Sequence, residues 1–283
     1  MQEMKSFESR KSETVVRILT YLVLSVIAFS IIYPIFWVTQ TALKTNTQIF
    51  RAPFSLPSSF YPNNFIEAWR MANFTRLFLN SVIATVSGVI VVLILTALAA
   101  YAFVRFDFKG KNILMLYFVL GLMIPPHMLM IPSFKLMSML HLRNTLFSLV
   151  LTYSSWICFG IFFLRAYFFS IPAEIIDAAC LDGCSEFRIF SQILIPISAP
   201  GLATVIIFYF VWMWNDFLFP LIYLQKESVR TVTLGLMNFA GKYTSYWSLQ
   251  AASLSLALWP PLIFYIIFRK RIQKGLIEGS IKF

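Results

Sequence analysis

Charge is scarce in this 283-residue sequence: Asp, Glu, Lys and Arg make up 12% of it, and 59% is hydrophobic, with a mean hydropathy of +0.77. An ordinary soluble domain is about one-quarter charged and about half apolar, so a soluble enzyme is excluded. Cysteine is nearly missing too, with Cys158, Cys180 and Cys184 alone. An odd number of thiols argues against a disulfide framework. Cys180 and Cys184 lie four apart with no third or fourth ligand nearby, so they read as small packing residues and no metal site is expected. Histidine occurs twice, as His127 and His141, which leaves no His/Asp cluster for an intramembrane enzyme. His127, beside Pro126, reads as a packed or hydrogen-bonded interior residue rather than a proton relay. A phosphate-binding loop of the Gly-x4-Gly-Lys-Ser/Thr type is also missing. The nearest fragment is Gly241-Lys242, with Leu236 where the first glycine belongs. No cofactor is expected, and any ATP must be bound by a partner chain.

What the sequence has in quantity is uncharged apolar runs. They cover Ile18–Leu43, Leu77–Val104, Asn144–Leu164, Ile189–Asn215 and Tyr243–Phe268, and Asn112–Phe134 is a sixth interrupted only by His127. Each reaches the ~20 residues that a helix needs to cross a bilayer core. The expectation is an all-α polytopic membrane protein of six transmembrane helices, with lipid rather than nucleic acid answering the net charge of +11. Counting six spans from a cytoplasmic N-terminus places 14 Lys/Arg inside and nine outside. The sharpest element is Arg269-Lys270-Arg271, directly after an apolar run. The positive-inside rule therefore puts both termini in the cytoplasm. The basic start Lys5–Arg17 precedes an apolar run far longer than a signal-peptide core, so span one is expected to stay as an anchor. Residues 1–17 then form a cytoplasmic N-terminal segment, and 18–283 one transmembrane domain that includes a loop at 170–196 and a tail at 269–283.

Punctuation along the chain adds detail. Lys44–Arg76 is the longest outer segment, broken by Pro53, Pro57 and Pro62, with a short surface helix expected over Asn64–Arg70. Span two carries Ser81, Ala84, Ser87, Gly88, Ala97, Ala99 and Ala100, small residues that let helices approach closely in lipid. Pro125-Pro126 and Pro132 predict a kink or interruption in span three, and span six holds Trp259-Pro260-Pro261. Carbonyls freed by such prolines need neighbouring protein, so these spans are expected to face protein or a cavity.

Ser170–Pro200 is the most informative segment. Ser170 is placed to cap a helix that accepts Pro172 and Glu174 in its first turn and runs through Asp177-Ala178-Ala179 to about Leu181. Asp182-Gly183 supplies a turn, with positive φ free to glycine. Ser185 is placed to cap a second short helix over Glu186–Leu194, leading to Pro196 and span five. Small Ala178, Ala179, Cys180 and Gly183 let another backbone come close, and Leu181, Phe187 and Phe190 offer apolar bulk. On pattern alone, a docking surface and a connector covering helix ends are equally good readings.

The wording of that loop resembles the Glu-Ala-Ala-x3-Gly-x11-hydrophobic-Pro loop of permease subunits in ATP-binding cassette importers. Asp177-Ala178-Ala179, Gly183 and Ile195-Pro196 carry the likeness, with Asp177 in place of the leading Glu. Pro34-Ile35-Phe36-Trp37 with Ala42-Leu43-Lys44-Thr45 resembles the end of span one in sugar-type permeases. Asn80-Ser81, Ala99–Phe106, Trp214-Asn215-Asp216-Phe217 and the tail Lys274–Phe283 extend the likeness over nearly the whole chain. The tail is similar to the second permease of the maltose system, from which Ile277 and Phe283 depart.

The resemblance implies an importer permease fold in the inner membrane of a prokaryote. It also implies three partners: a second permease subunit, a dimeric ATPase and an extracytoplasmic solute-binding protein. The loop would be a coupling helix seated in a cleft on the ATPase, with Asp177, Ala178, Ala179, Gly183 and Pro196 as its positions. The chain itself would do no bond chemistry. Asp216 is the only acidic residue inside a long apolar stretch, 20 residues or roughly 30 Å of helix beyond Pro196. Its neighbours Trp212, Trp214, Asn215, Phe217 and Phe219 admit two readings, an interfacial aromatic belt or a lining of the translocation path. The candidate path residues are Trp212, Asn215 and Asp216. On a helix, Trp212 would share a face with Asp216, and Asn215 with Phe219. The outer loop Gln225–Ser248, with Arg230, Lys242 and Tyr243, is either the binding protein's docking surface or a connector. The alternative function is a self-sufficient ion-coupled secondary transporter, for which Asp216 and His127 are the only ionisable groups at hand.

Overall fold

A chain this apolar satisfies its backbone in lipid only by closing hydrogen bonds within each segment, which selects helices. The computed structural model describes residues 2–58, 60–237, 239 and 246–280, with side chains described between 14 and 269, and no strand occurs among these residues. Three helices are long and apolar enough to cross a membrane, within α1 (Gln2–Thr41), α4 (Phe74–Arg105) and the last helix, α15 (Trp247–Ser280). Three further candidates are bent pairs. The first joins α5 (Lys111–Met123) to the stretch Pro126–Met139, which contains α6 (Met130–Met139), at 91°. The second joins α7 (Leu146–Ser154) to α8 (Ile157–Phe169) at 45°, and the third joins Glu186–Ile197 to α12 (Ala199–Trp214) at 78°. Counting each pair as one span gives six, as the runs predict.

The bends have local causes. Pro125-Pro126 breaks the third span where expected. The break in the fourth has no proline to mark it; it falls at Ser154-Ser155-Trp156, and paired small polar residues are a known site of kinks. Span six keeps Pro260 and Pro261 inside one unbroken helix.

The chain divides into two compact units, Met1–Trp69 with Phe239–Leu256, and Arg70–Asn238 with Ala257–Phe283. In the first, the apolar window of α1 has no buried residue. The polypeptide just after it is held by polar groups. Lys44 is fully buried and its Nζ donates to the carbonyls of Ala52 (3.3 Å) and Pro53 (3.0 Å). Burial lowers the pKa of that ammonium. Buried Asn64 donates from Nδ2 to the carbonyls of Ala42 and Lys44 at 2.8 and 2.9 Å. The short helix expected at Asn64–Arg70 is α3 (Asn63–Met71), but Asn64 and Ala68 are buried, so only part of it is surface.

In the second unit α4 is the central post. Its small residues do what their size allows: Ser81, Ala84, Gly88, Ala97 and Ala100 are buried. A Cβ on Gly88 would stand 2.9 Å from both Met213 Sδ and Tyr153 Cδ2, so only glycine admits this approach. Asn80 Nδ2 donates to the carbonyls of Ser228 (3.0 Å) and Arg230 (2.9 Å), and Ser81 Oγ accepts from Val232 N–H (2.8 Å). These two side chains tie the segment after α12 to the start of α4.

Candidate functional site

The loop between α8 and α12 is a helix, a turn and a second helix. α9 (Ala173–Leu181) begins two residues later than Ser170 would place it. Pro172 holds the N-cap position without a side-chain bond, and Ser170 Oγ donates to the Tyr167 carbonyl instead. Gly183 takes φ = +76°, with nothing within 4 Å of the place a Cβ would occupy. Ser185 caps the second helix as predicted, accepting from Arg188 N–H at 3.4 Å. That helix does not stay α beyond Arg188. Residues Ile189–Leu194 form a π-helical turn, in which Ile195 N–H reaches the Phe190 carbonyl. The widened turn stands directly before Pro196, whose ring carries no donor.

Burial divides the expected docking residues. Asp177, Ala178, Gly183 and Pro196 are exposed, and Leu181 and Phe187 are 90% and 76% exposed. Ala179 is buried with Ile176, three residues earlier on the inward face of α9. Phe190 is half-buried, its ring 5.2 Å from that of Tyr101. The outward surface is therefore narrower than the sequence motif.

A polar anchor holds the loop to the end of α4, and sequence reading missed it. Arg105 forks onto Glu186, with Nε to Oε1 at 3.0 Å and a terminal guanidinium nitrogen to Oε1 at 2.9 Å. Tyr101 donates its hydroxyl to the other carboxylate oxygen at 2.5 Å. The same terminal nitrogen of Arg105 lies 3.1 Å from Cys180 Sγ. A signal was present in the helical spacing of Tyr101 and Arg105, one turn apart on the same face as Ala97.

At the far end of α12 the chain turns at Asn215–Phe217 into α13 (Leu218–Tyr223). Because α12 ends at Trp214, the helical-face argument does not apply to Asn215, Asp216 and Phe219. Asp216 is 9% exposed and internally engaged: it accepts from Tyr153 Oη (2.9 Å) and from Phe219 N–H (3.5 Å), and its carbonyl accepts from Thr233 Oγ1 (2.7 Å). Asn215 is exposed and donates to the Val211 carbonyl at 2.8 Å. Trp212 is 44% exposed.

All three line one cavity of ≈ 720 Å³ together with His127, Trp156 and Phe159. His127 and Trp156 come from the breaks in spans three and four and Phe159 from the first turn of α8, and sequence reading had not joined them to span five. His127 is exposed at this wall, contrary to the packed interior position expected. Tyr209, fully buried on α12, repairs the break in span four: its hydroxyl accepts from Gly160 N–H (2.9 Å) and donates to the Trp156 carbonyl (2.7 Å). The rim residue Trp156 is thus fixed from behind, while Trp212 faces Phe159 at 5.2 Å between ring centroids.

In the segment after α13, Arg230 is half-buried, 3.9 Å from Glu227. Gly241, Lys242 and Tyr243 lie outside the described residues, as do the side chains of the tail.

The model for the binding-protein-dependent transport system inner membrane component matches residues 92–278, which contain both the loop and the cavity. The chain belongs to that family. It is 36% identical over 284 residues to a probable ABC transporter permease, YurM of Bacillus subtilis (strain 168), covering 99% of this chain and 93% of the relative. The diacetylchitobiose uptake system permease NgcG of Streptomyces coelicolor is 33% identical over 255 residues, 89% of this chain and 84% of its own. The arabinooligosaccharides transport permease AraQ of Halalkalibacterium halodurans is 31% identical over 277 residues, 96% and 99% respectively. A chain in the crystal structure of a bacterial ABC transporter importing the acidic polysaccharide alginate shares the fold, with a TM-score of 0.81 at 22% identity, over 92% of this chain and 98% of that one. The protein is a multi-pass membrane permease subunit and not an enzyme; the ATPase of such a system is a separate chain.

Proposed function

We propose that this chain forms half of the translocation pathway for a sugar or sugar derivative in an ATP-driven importer of a prokaryotic inner membrane. Its termini face the cytoplasm, and its domain runs from residue 18 to 283. A second permease subunit supplies the other half, a solute-binding protein delivers substrate from outside, and a dimeric ATPase docks on the loop 170–196. The observation that carries this reading is the outward face of the loop. Leu181 and Phe187, the most exposed apolar side chains there, flank the Gly183 turn beside Asp177 and Ala178. An apolar pair presented on a short helical elbow is suited to insertion in a groove of another protein. Closure of the ATPase around ATP would then reach the spans as a rigid-body change.

The sugar assignment draws on the names of NgcG and AraQ and on the cavity's composition. Aromatic Trp156, Phe159 and Trp212 offer faces to sugar rings, and Asn215 and His127 offer polar edges to hydroxyls.

The test is co-purification with the ATPase and transport by the reconstituted complex. Gly183→Val puts a β-branched residue at positive φ and should abolish both. Retained assembly and transport in that variant would reject the docking site. Uptake by this chain alone, driven by an ion gradient, would replace the whole reading with that of a secondary transporter.

A further inference from the structure

The docking elbow turns at a glycine, and among the described backbone hydrogen bonds none crosses from α9 to the second helix. Gly183 stands at φ = +76° in open space, joined to α9 by turn hydrogen bonds from Gly183 N–H to the Cys180 carbonyl and from Cys184 N–H to the Ala179 carbonyl, both 3.0 Å. On either side of it lie the nine residues of α9 and the helical stretch Glu186–Ile197, which opens with three α-helical residues before its π-helical turn. One side chain from elsewhere touches both. The guanidinium of Arg105 lies 3.1 Å from Cys180 Sγ, before the turn, and forks onto Glu186, after it. Tyr101, one turn earlier on α4, closes over the same carboxylate from its other oxygen and packs its ring on Phe190.

We infer that Arg105 and Glu186, with Tyr101, form a clamp that fixes the angle of the elbow and makes it move as one body with the end of α4. The inference rests on the docking reading above and adds the route by which force leaves the loop. An exposed elbow pushed by a partner would otherwise bend at Gly183 and dissipate the movement. With the clamp closed, displacement of Leu181 and Phe187 is delivered to α4, the post against which α7, α8 and α12 pack. A bidentate Arg–carboxylate pair suits this role because it fixes orientation as well as distance. Lysine would keep the charge and lose the fork. Arg105 and Glu186 are accordingly positioning residues.

The test uses the full importer in liposomes with its binding protein, measuring ATP hydrolysed per molecule of substrate imported. Arg105→Gln and Glu186→Gln should each leave the ATPase bound and raise that ratio by at least about fivefold, the low end of coupling energies between sites. Arg105→Lys should fall between these and the native complex. The exchange Arg105→Glu with Glu186→Arg should recover part of the coupling, which a loss of packing alone would not. A second measurement places spin labels, introduced as unnatural residues so that Cys180 is kept, at exposed Lys109 and Asp182. Their separation should be the same in nucleotide-free and vanadate-trapped complexes, and should broaden in Arg105→Gln.

Native coupling in both Gln variants, or a label distance that changes between states in the unmutated protein, would overturn the clamp while leaving docking intact. Failure of the unmutated chain to bind any ATPase would overturn the docking reading and the clamp with it. If Arg105→Gln does not fold, Glu186→Gln and the exchanged pair decide the same question.

Discussion

The loop at 170–196 and the cavity beyond α12 use similar residues in opposite ways. In the loop the bulkiest exposed residues are apolar: Ile176, Ala179, Ile189 and Leu194 are buried, while Leu181 and Phe187 stand in the open. Around the cavity the one acidic group is consumed by the protein itself, bonded to Tyr153 and Phe219. An apolar side chain left exposed on a folded elbow has no stabilising role in its own chain, whereas a buried carboxylate with two donors does. Mutations at the loop's exposed residues should therefore change assembly without changing folding. Those at Asp216 should change folding first.

The largest effect expected is on assembly. Leu181→Glu combined with Phe187→Glu should weaken ATPase binding by more than about thirtyfold, the loss of a binding hot spot of about 2 kcal/mol. The melting temperature of the isolated chain should not move. A fall in melting temperature with the complex intact would break the comparison at its first side.

Two adjacent alanines sharpen it. Ala178 is exposed and Ala179 is buried, so a leucine at each should read out differently. Ala179→Leu forces volume into a packed face and should cost about 1–3 kcal/mol of stability. Ala178→Leu should leave stability within about 0.5 kcal/mol and impair only docking. Thermal unfolding of the chain in detergent, set beside co-purification, separates the two.

The loop was readable from sequence because its spacing, its glycine and its prolines are local signals. A turn after Leu181, a cap at Ser185 and an end at Pro196 can each be argued within four residues. The six spans were readable for the same reason, since length and lack of charge need no tertiary information. The orientation of Ala179 and Phe190 was not, because which face of a short helix turns inward depends on what lies beneath it, here Tyr101 and the rest of α4. The cavity was half readable. Trp212, Asn215 and Asp216 are conspicuous in an apolar run, but Trp156 and His127 arrive from breaks in other spans. A kink at Ser154-Ser155 says that a helix bends, without saying toward what. Asp216 itself was placed on a helix that ends two residues earlier, so its partner could not be guessed from helical spacing.

The carboxylate of Asp216 supplies the next test. Asp216→Ala leaves the Tyr153 hydroxyl buried without its acceptor and removes the bond to Phe219 N–H, which should cost about 1–3 kcal/mol. Asp216→Asn keeps an acceptor for one of the two donors, and its amide can donate to the Tyr153 oxygen in place of the other bond, so it should cost less. Thermal melts of the two variants check the order. If alanine were tolerated as well as asparagine, the group would not be structural, and a direct role toward the cargo would become the better account.

A smaller stability effect than at Asp216 should come from Trp212, which lines the same cavity. Trp212 is 44% exposed and packs by its ring edges on Phe159, Phe208 and Tyr209, with no hydrogen bond on its indole nitrogen among the described contacts. Trp212→Phe keeps an aromatic face and most of that packing, so unfolding should shift by less than about 1 kcal/mol. Transport should still respond, because a smaller face at the cavity reduces stacking on a sugar ring by a part of the roughly 0.5–1.5 kcal/mol that aromatic pairs contribute. That predicts an import rate at low substrate lowered by no more than about tenfold, recovered at saturation. A variant unchanged in both stability and import would remove Trp212 from the pathway and leave the cavity's function to Trp156 and His127 on the broken spans.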